Sequence, residues 1–366
     1  MKFSNDLKRK LKTIFWITIS WTLISVIQLL YEITIIFEYG NDYRWSTTDN
    51  FTTYLLINTS AFVINGFIGG LVVVSLQYYI RNRSYTFGLL YGVIIYIILF
   101  FLMTCLQNYF VIQSIWDGSI PFYSAYLKGL EDYIFSFEFV RNFPFWLFIL
   151  TGTLITLFIN DKYGPGELKK FLMGKYFYPK SEKRIFMFLD LKGSTSIAEK
   201  LGERKYFSFI QKVFKDITPV FLETKGEVYQ YVGDEVVITW KVKNGVEEMN
   251  CIYCFQNIKK LLIQLTPSYK ELYGAVPEFK AGLHVGTAIV GEVGVIKRDI
   301  AYSGDVINTT ARIQSMCNKF GASLLVSKQV LELFDSTNLN AVSLGQVELR
   351  GKVNTINLYS ILFDFN

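Results

Sequence analysis

Two carboxylates in the second half of the chain stand where they could grip a divalent cation. Asp190 ends a nearly continuous apolar run, residues 184–191 (RIFMFLDL), which reads as a buried strand. Asp234 sits at the tip of a hairpin signal between residues 226–231 and 235–240, centred on Gly233-Asp234. Two hard oxygen ligands with open positions suit Mg²⁺ or Mn²⁺ carried on a nucleoside triphosphate. Directly behind Asp190, Lys192, Gly193, Ser194 and Thr195 lead into a helix. Backbone N–H groups at a helix start bind phosphate well. Taken singly, Asp190 reads as a helix cap and Asp234 as a turn residue; together they read as a metal pair beside a phosphate cradle.

The elements that must position these groups follow from periodicity. Residues 196–222 alternate with helical period, and Ser196 with Glu199 has the spacing of a capping box. A second helix is expected over 247–273, then a strand over 279–290 with turns at Gly286 and Gly291. Residues 305–320 read as helix, 323–326 as strand and 328–334 as a short helix. Two closing strands flank Arg350-Gly351-Lys352. The order β-α-β-β-α-β predicts an α+β fold with a ferredoxin-like palm. In a palm the two strands that carry Asp190 and Asp234 are neighbours.

The segments FLDLKGST, QYVGDEVVITW and YSGDVINTTARI, in that order, resemble the catalytic domain of class III nucleotidyl (adenylate/guanylate) cyclases of the bacterial membrane-anchored type. The resemblance covers about half the chain. It implies two metal ions, Mg²⁺ or Mn²⁺, held by Asp190, Asp234 and the Leu191 carbonyl. It implies that Asn308 orients the ribose and that Arg312 stabilises the α-phosphate in the transition state. Arg350 and Lys352 resemble the basic pair near the triphosphate. It also implies a head-to-tail homodimer, in which one protomer supplies the aspartates and the other supplies Asn308 and Arg312. At the two base-reading positions stand Gln230 and Ala301, which match neither the adenine-reading nor the guanine-reading pair usual in the family. A Gln amide pairs with adenine and, turned over, with guanine; Ala301 offers no side-chain hydrogen bond. The missing guanine-reading Glu favours ATP over GTP.

Residues 1–160 differ entirely. Apolar blocks at 13–37, 54–80, 87–106 and 143–159 are near the length of a membrane-crossing helix. Lys2, Lys8, Arg9, Lys10 and Lys12 precede the first block, Arg81 and Arg83 separate the second and third, and Lys162, Lys169, Lys170 and Lys175 follow the fourth. The positive-inside rule places both termini in the cytoplasm of a chain that crosses the cell (inner) membrane several times. Glu32 lies inside the first block, within reach of the outer interface. Gly66 and Gly70 have the small-xxx-small spacing of closely packed helices. Residues 111–142 read as a long aromatic-rich external loop. The expected division is a membrane domain at 1–160, a linker at 161–182 and a cyclase domain at 183–366.

The composition agrees with two unlike halves. Of 366 residues, 51% are hydrophobic and only 19% charged, which excludes a disordered chain. The net charge of +6 comes largely from membrane-flanking residues, so the expected partners are a nucleotide, a lipid bilayer and a second copy, with no nucleic acid. His284, the only histidine, has no second imidazole for a metal site, and the Cys251/Cys254 pair lies within a helical pattern without a partner pair. Two other readings stay open. One is a cyclase-like module that senses nucleotide without turnover; the other is a diguanylate cyclase, disfavoured because Val232-Gly233 replaces the usual double glycine and Asn308 and Arg312 would have no role.

Overall fold

Long uncharged apolar runs satisfy their backbone groups internally by forming helices, and the first half of the chain does so. The computed structural model describes residues 5–39, 48–80, 85–116, 118–164, 166–296, 298–334, 339–350 and 355–363. The chain divides into two units, Met1–Leu168 and Lys169–Asn366. In the first, α1 (Asn5–Tyr39), α2 (Thr48–Ile80), α3 (Tyr85–Ile115), α4 (Phe122–Ile134) and α5 (Phe137–Tyr163) follow in order. Four of these, α1, α2, α3 and α5, hold stretches of 22, 19, 28 and 26 residues long and apolar enough to cross a membrane. Gly66 and Gly70 let α2 lie directly on α1, since a Cβ there would come within 3.1 Å of the Thr18 carbonyl oxygen and 3.2 Å of the Ile14 one. Glu32 is on α1; its side chain, and residues 40–47 and 81–84 with their charges, lie outside the described residues.

Residues 111–142 are not the loop expected from sequence. The helix α3 continues to Ile115, α4 fills Phe122–Ile134, and α5 starts at Phe137. The Ser136 hydroxyl caps α5 by accepting the Phe139 N–H at 3.2 Å. The reason is aromatic: Tyr109 and Trp116 each pack edge-on against Phe122 at 5.5 Å, which folds the segment back on α3.

A short α6 (Glu167–Leu172) spans the boundary in sequence, and the second unit then opens its sheet with β1 (Lys180–Leu191), the strand that carries Asp190. The remaining strands are β2 (Glu227–Val232), β3 (Glu235–Lys241), β4 (Phe279–Val293), β5 (Asp299–Ser303), β6 (Leu324–Ser327), β7 (Ala341–Val347) and β8 (Ile356–Ile361). They form one sheet in the order β2-β3-β1-β4-β6-β8-β7, with β5 added to β4. This is the expected mixed α+β palm. β1 is central, antiparallel to both β3 and β4. It reads as a continuous apolar run because helices cover both its faces. Ile185, Met187, Leu189 and Leu191 pack under α8 (Glu203–Glu223) and α10 (Asn250–Tyr273). Phe186 and Phe188 face the other way, against Val306 of α11 (Asp305–Ser315).

Several local expectations are corrected. The helix expected over 196–222 begins earlier, as α7 (Ser194–Leu201), and Gly193 in the left-handed region, not Ser196, stands at its N-cap. Ser196 is thus inside the helix and forms no capping box. Gly202, at φ 73°, breaks the expected single helix into α7 and α8. The expected helix over 247–273 is preceded by α9 (Val242–Val246) and a 3₁₀ turn, so α10 starts at Asn250. β4 runs straight through Gly286 and Gly291. These glycines are not turns: Gly286 makes room for Val306, whose Cβ would stand 2.9 Å from an added Cβ. The helix over 305–320 pauses at Met316 before α12 (Cys317–Phe320). β5 was not expected at all, and α13 (Lys328–Leu331) is shorter than foreseen.

Candidate active site

The two-residue period of β1 places Asp190 on the α11 face, below Phe186 and Phe188, at the strand's C-terminal end. Its register partners are Glu235 on β3 and Lys280 on β4. Asp234 immediately precedes Glu235, in the turn that joins β2 to β3. Both expected carboxylates therefore share one edge of the sheet. Their charges act on neighbouring groups. Burial, then the charge of Asp190, then that of Asp234 push the Glu235 carboxyl up to about 7. Burial and the nearby Asp234 charge also raise the Tyr206 hydroxyl, which hydrogen-bonds Ser194.

Asp190 is held by two donors on the same oxygen. The Lys280 ammonium lies 3.1 Å from its Oδ2, and the Gln314 amide donates to that atom at 2.8 Å. Lys280 also donates to Asn318 Oδ1 at 3.3 Å. Glu235, Lys280 and Gln314 are the site residues that sequence reasoning missed. Glu235 was visible beside Asp234, but Lys280 and Gln314 reach Asp190 only through strand register and helix docking.

The arrangement fits a divalent cation. Three carboxyls share one partly buried edge; burial first, and then the charges of Asp190 and Asp234, raise Glu235, and a cation there would relieve the part due to charge. Among the described residues no three His, Cys, Asp or Glu side chains form a complete metal cage. The site is one of few protein ligands and open positions, as for a metal that arrives with phosphates. Leu191, whose carbonyl was expected to join the ligands, closes β1 with its side chain buried.

The cradle residues follow without a gap. Gly193 turns the chain with φ 65°, and Ser194 and Thr195 open α7. Among the described residues no side chain caps that helix, so its first-turn N–H groups could serve an anion. The Lys192 ammonium donates to Ser323 Oγ at 3.3 Å and stands 4.0 Å from Glu278 Oε2.

The other expected residues lie on different elements. Asn308 and Arg312, four apart on α11, share one face of it, Asn308 exposed and Arg312 half-buried. Gln314 leaves the helix about 160° from Arg312 by the helical repeat, toward Asp190. One chain thus turns the Arg312 side of α11 away from its own Asp190. Gln230 is exposed on β2, and Ala301 lies on β5 opposite Gly291. Arg350 is exposed just after β7, and Lys352 lies outside the described residues.

A palm sheet with acidic groups at one edge, an uncapped helix start behind them and the helix that carries Asn308 and Arg312 is the arrangement expected of a nucleotidyl cyclase catalytic domain. Residues 178–362 match the model of the family described as "Adenylate and Guanylate cyclase catalytic domain", and the chain belongs to that family. It is similar to adenylate cyclase 2 of Rhizobium meliloti (strain 1021), 33% identical over 209 residues, which cover 57% of this chain and 58% of that protein. It is also similar to adenylate cyclase 1 of the same organism, 25% identical over 48% of this chain and 27% of that one. The chain thus aligns with less than two thirds of either relative. A solved bacterial light-regulated adenylyl cyclase superposes with a TM-score of 0.50 at 20% identity, over 59% of this chain and 63% of that one, a likeness of fold.

Proposed function

We propose that this chain is a membrane-anchored adenylate cyclase that converts ATP to cyclic AMP and pyrophosphate at sites shared between two protomers. The observation that carries the reading is the meeting of Asp190 and Asp234 at one sheet edge, next to the uncapped start of α7. The four apolar helices are read as crossing the cell (inner) membrane, with both termini cytoplasmic.

In this reaction the ribose 3′-hydroxyl attacks the α-phosphorus and pyrophosphate leaves. Mg²⁺ or Mn²⁺ at Asp190, Asp234 and the Leu191 carbonyl would lower the hydroxyl pKa and stabilise the leaving oxygens. The chain's own groups do the positioning. N–H groups of Ser194 and Thr195, beside Lys192 and Gly193, hold the terminal phosphates. Asn308 orients the ribose, and the planar Arg312 fork meets charge that develops on the α-phosphate oxygens. Arg350 and Lys352 add positive charge near the triphosphate. Because α11 turns its Arg312 side away from Asp190 of the same chain, a second copy is needed to complete each pocket, in a head-to-tail homodimer.

ATP is favoured over GTP because the named relatives are adenylate cyclases and because neither base-reading position carries a guanine-reading carboxylate. The Gln230 amide supports GTP as the second reading, since it presents donor and acceptor in either order. The test is product formation from ATP and from GTP, side by side with Mn²⁺, by the full chain in membranes. Cyclic AMP formed faster than cyclic GMP is the expected result. No cyclic product from either would replace the enzyme by a silent nucleotide-sensing module.

A further inference from the structure

We infer that Tyr302, Tyr229 and the buried Arg184 behind them are positioning residues that set the shape of the purine-reading wall. This rests on the reading of Gln230 and Ala301 as that wall.

Arg184 is on β1, on the same strand face as Asp190 and six residues before it, about 20 Å along an extended chain. Its side chain is 0% exposed, and its polar partners lie away from the catalytic edge. Its Nε donates to Glu182 Oε2 at 2.8 Å, and both terminal nitrogens reach Glu227 Oε2 at 3.4 Å. The guanidinium lies over the Tyr302 ring, 5.1 Å from its centroid. Tyr302 in turn meets Tyr229 edge-on at 4.9 Å and Phe186 at 5.5 Å. The Tyr302 N–H donates to the Tyr229 hydroxyl at 3.4 Å.

The two tyrosines are the immediate neighbours of the two base-reading positions: Tyr229 precedes Gln230, and Tyr302 follows Ala301. Among the described residues β5 hydrogen-bonds only to β4, and β2 only to β3, so no backbone ladder there joins the two halves of the wall. The Tyr229–Tyr302 contact does. The pairing of β2 with β3 also slips between Val228 and Gln230, which leaves Tyr229 as the extra residue of a bulge. A bulge re-aims the side chain next to it, so the seat of the Tyr229 ring fixes where Gln230 points. Ala301 adds no hydrogen bond, and the spacing between β2 and β5 therefore weighs heavily in base choice. A buried ion cluster is a poor source of net stability compared with apolar packing. A role in holding Tyr302 face-on gives Arg184 a purpose that packing alone does not.

The test uses the full chain, with competition binding of Mn·ATP, Mn·GTP and Mn·tripolyphosphate, and with KM and kcat for both purines. Tyr302→Leu is expected to change the ATP-to-GTP binding ratio roughly ten-fold, the scale of a pocket-shape change, with tripolyphosphate affinity unaltered. Tyr302→Phe keeps the ring and the backbone N–H and should retain the wild-type ratio. A folded Tyr302→Leu protein with an unchanged ratio overturns the inference. Where that variant does not fold, Arg184→Lys, which keeps the charge but loses the planar fork, and Tyr229→Phe decide instead; an unchanged ratio in both overturns it. A wild-type chain that binds purines without forming cyclic product would defeat the cyclase reading alone, and the binding ratio would still judge this one. A wild-type chain that binds neither purine defeats both.

Discussion

The side-chain amide of Gln314 donates to Asp190 Oδ2 at 2.8 Å, the same oxygen that Lys280 approaches at 3.1 Å. The helix that presents Asn308 and Arg312 is therefore bonded to a carboxylate that serves the other pocket of the proposed dimer. Ligand-orienting partners of this kind typically change metal affinity 10–100-fold when lost. Gln314→Leu should raise the Mn²⁺ concentration for half-maximal activity by roughly ten-fold, with a smaller change in KM for ATP. An unchanged Mn²⁺ dependence would show that Lys280 alone orients Asp190.

Asp234 stands in a turn at the sheet edge, so its side chain contributes little to the core. Asp234→Ala should lower turnover roughly 100-fold or more while the melting temperature stays close to wild type. Near-normal activity in the folded variant would remove the metal role.

If each pocket takes its aspartates from one chain and its Asn/Arg pair from another, two dead variants should complement. Asp190→Ala and Arg312→Ala co-expressed in equal amounts should recover about a quarter of wild-type activity, since half of randomly paired dimers hold one whole pocket of two. Absence of rescue, with mixed dimers demonstrated by affinity tags, would argue for sites within single chains.

The placement of α11 depends on backbone contact with β4. A Cβ on Gly282 would stand 2.4 Å from the Gln314 backbone nitrogen, whereas one on Gly286 would meet the Val306 side chain at 2.9 Å. Gly282→Ala must push the helix off the sheet and should cost roughly 1–3 kcal/mol along with most of the activity. Gly286→Ala should be milder, because a side chain yields more readily than a helix backbone. Chemical denaturation of both variants checks the order.

The Arg184 cluster makes stability depend on acid. Burial alone would raise the Glu227 carboxyl, but the Arg184 charge, then that of Lys170, outweighs it and holds the group below its ordinary 4.5. Glu182 is likewise lowered against its burial, chiefly by its hydrogen bond from Arg184. A carboxylate with a depressed folded-state value stabilises the protein above its unfolded value, and that stability is lost as pH falls through the folded one. The melting temperature should thus drop below pH 4.5, and less steeply in Glu227→Gln. Parallel curves for the two proteins would remove the cluster from the acid response.

Much of the candidate site was legible because it is local in sequence. The strand ending in Asp190, the turn at Asp234 and the Lys192–Thr195 segment are read from runs of a few residues. What stayed hidden depends on distant partners. Lys280 lies 90 positions from Asp190 and meets it only through the antiparallel register of β1 with β4. Gln314 looks like any polar helix residue until α11 docks on Gly282. Gly286 was mistaken for a turn because glycine signals both a bend and a close approach, and only the packed neighbour, Val306, tells which. The capping box failed for a related reason: Gly193 caps the helix three residues before Ser196, where the Ser196–Glu199 spacing would put the N-cap.

The open start of α7 has a consequence for timing. With Gly193 at its N-cap and no side-chain oxygen to satisfy the first turn, this eight-residue helix is short of the stabilisation, about a few tenths of a kcal/mol over Gly, that a Ser or Asp cap lends. It should fray on its own and settle when an anion occupies its end. Deuterium uptake at residues 194–197 should therefore slow sharply as nucleotide arrives, an imprint of occupancy legible even in a variant too slow to yield measurable product.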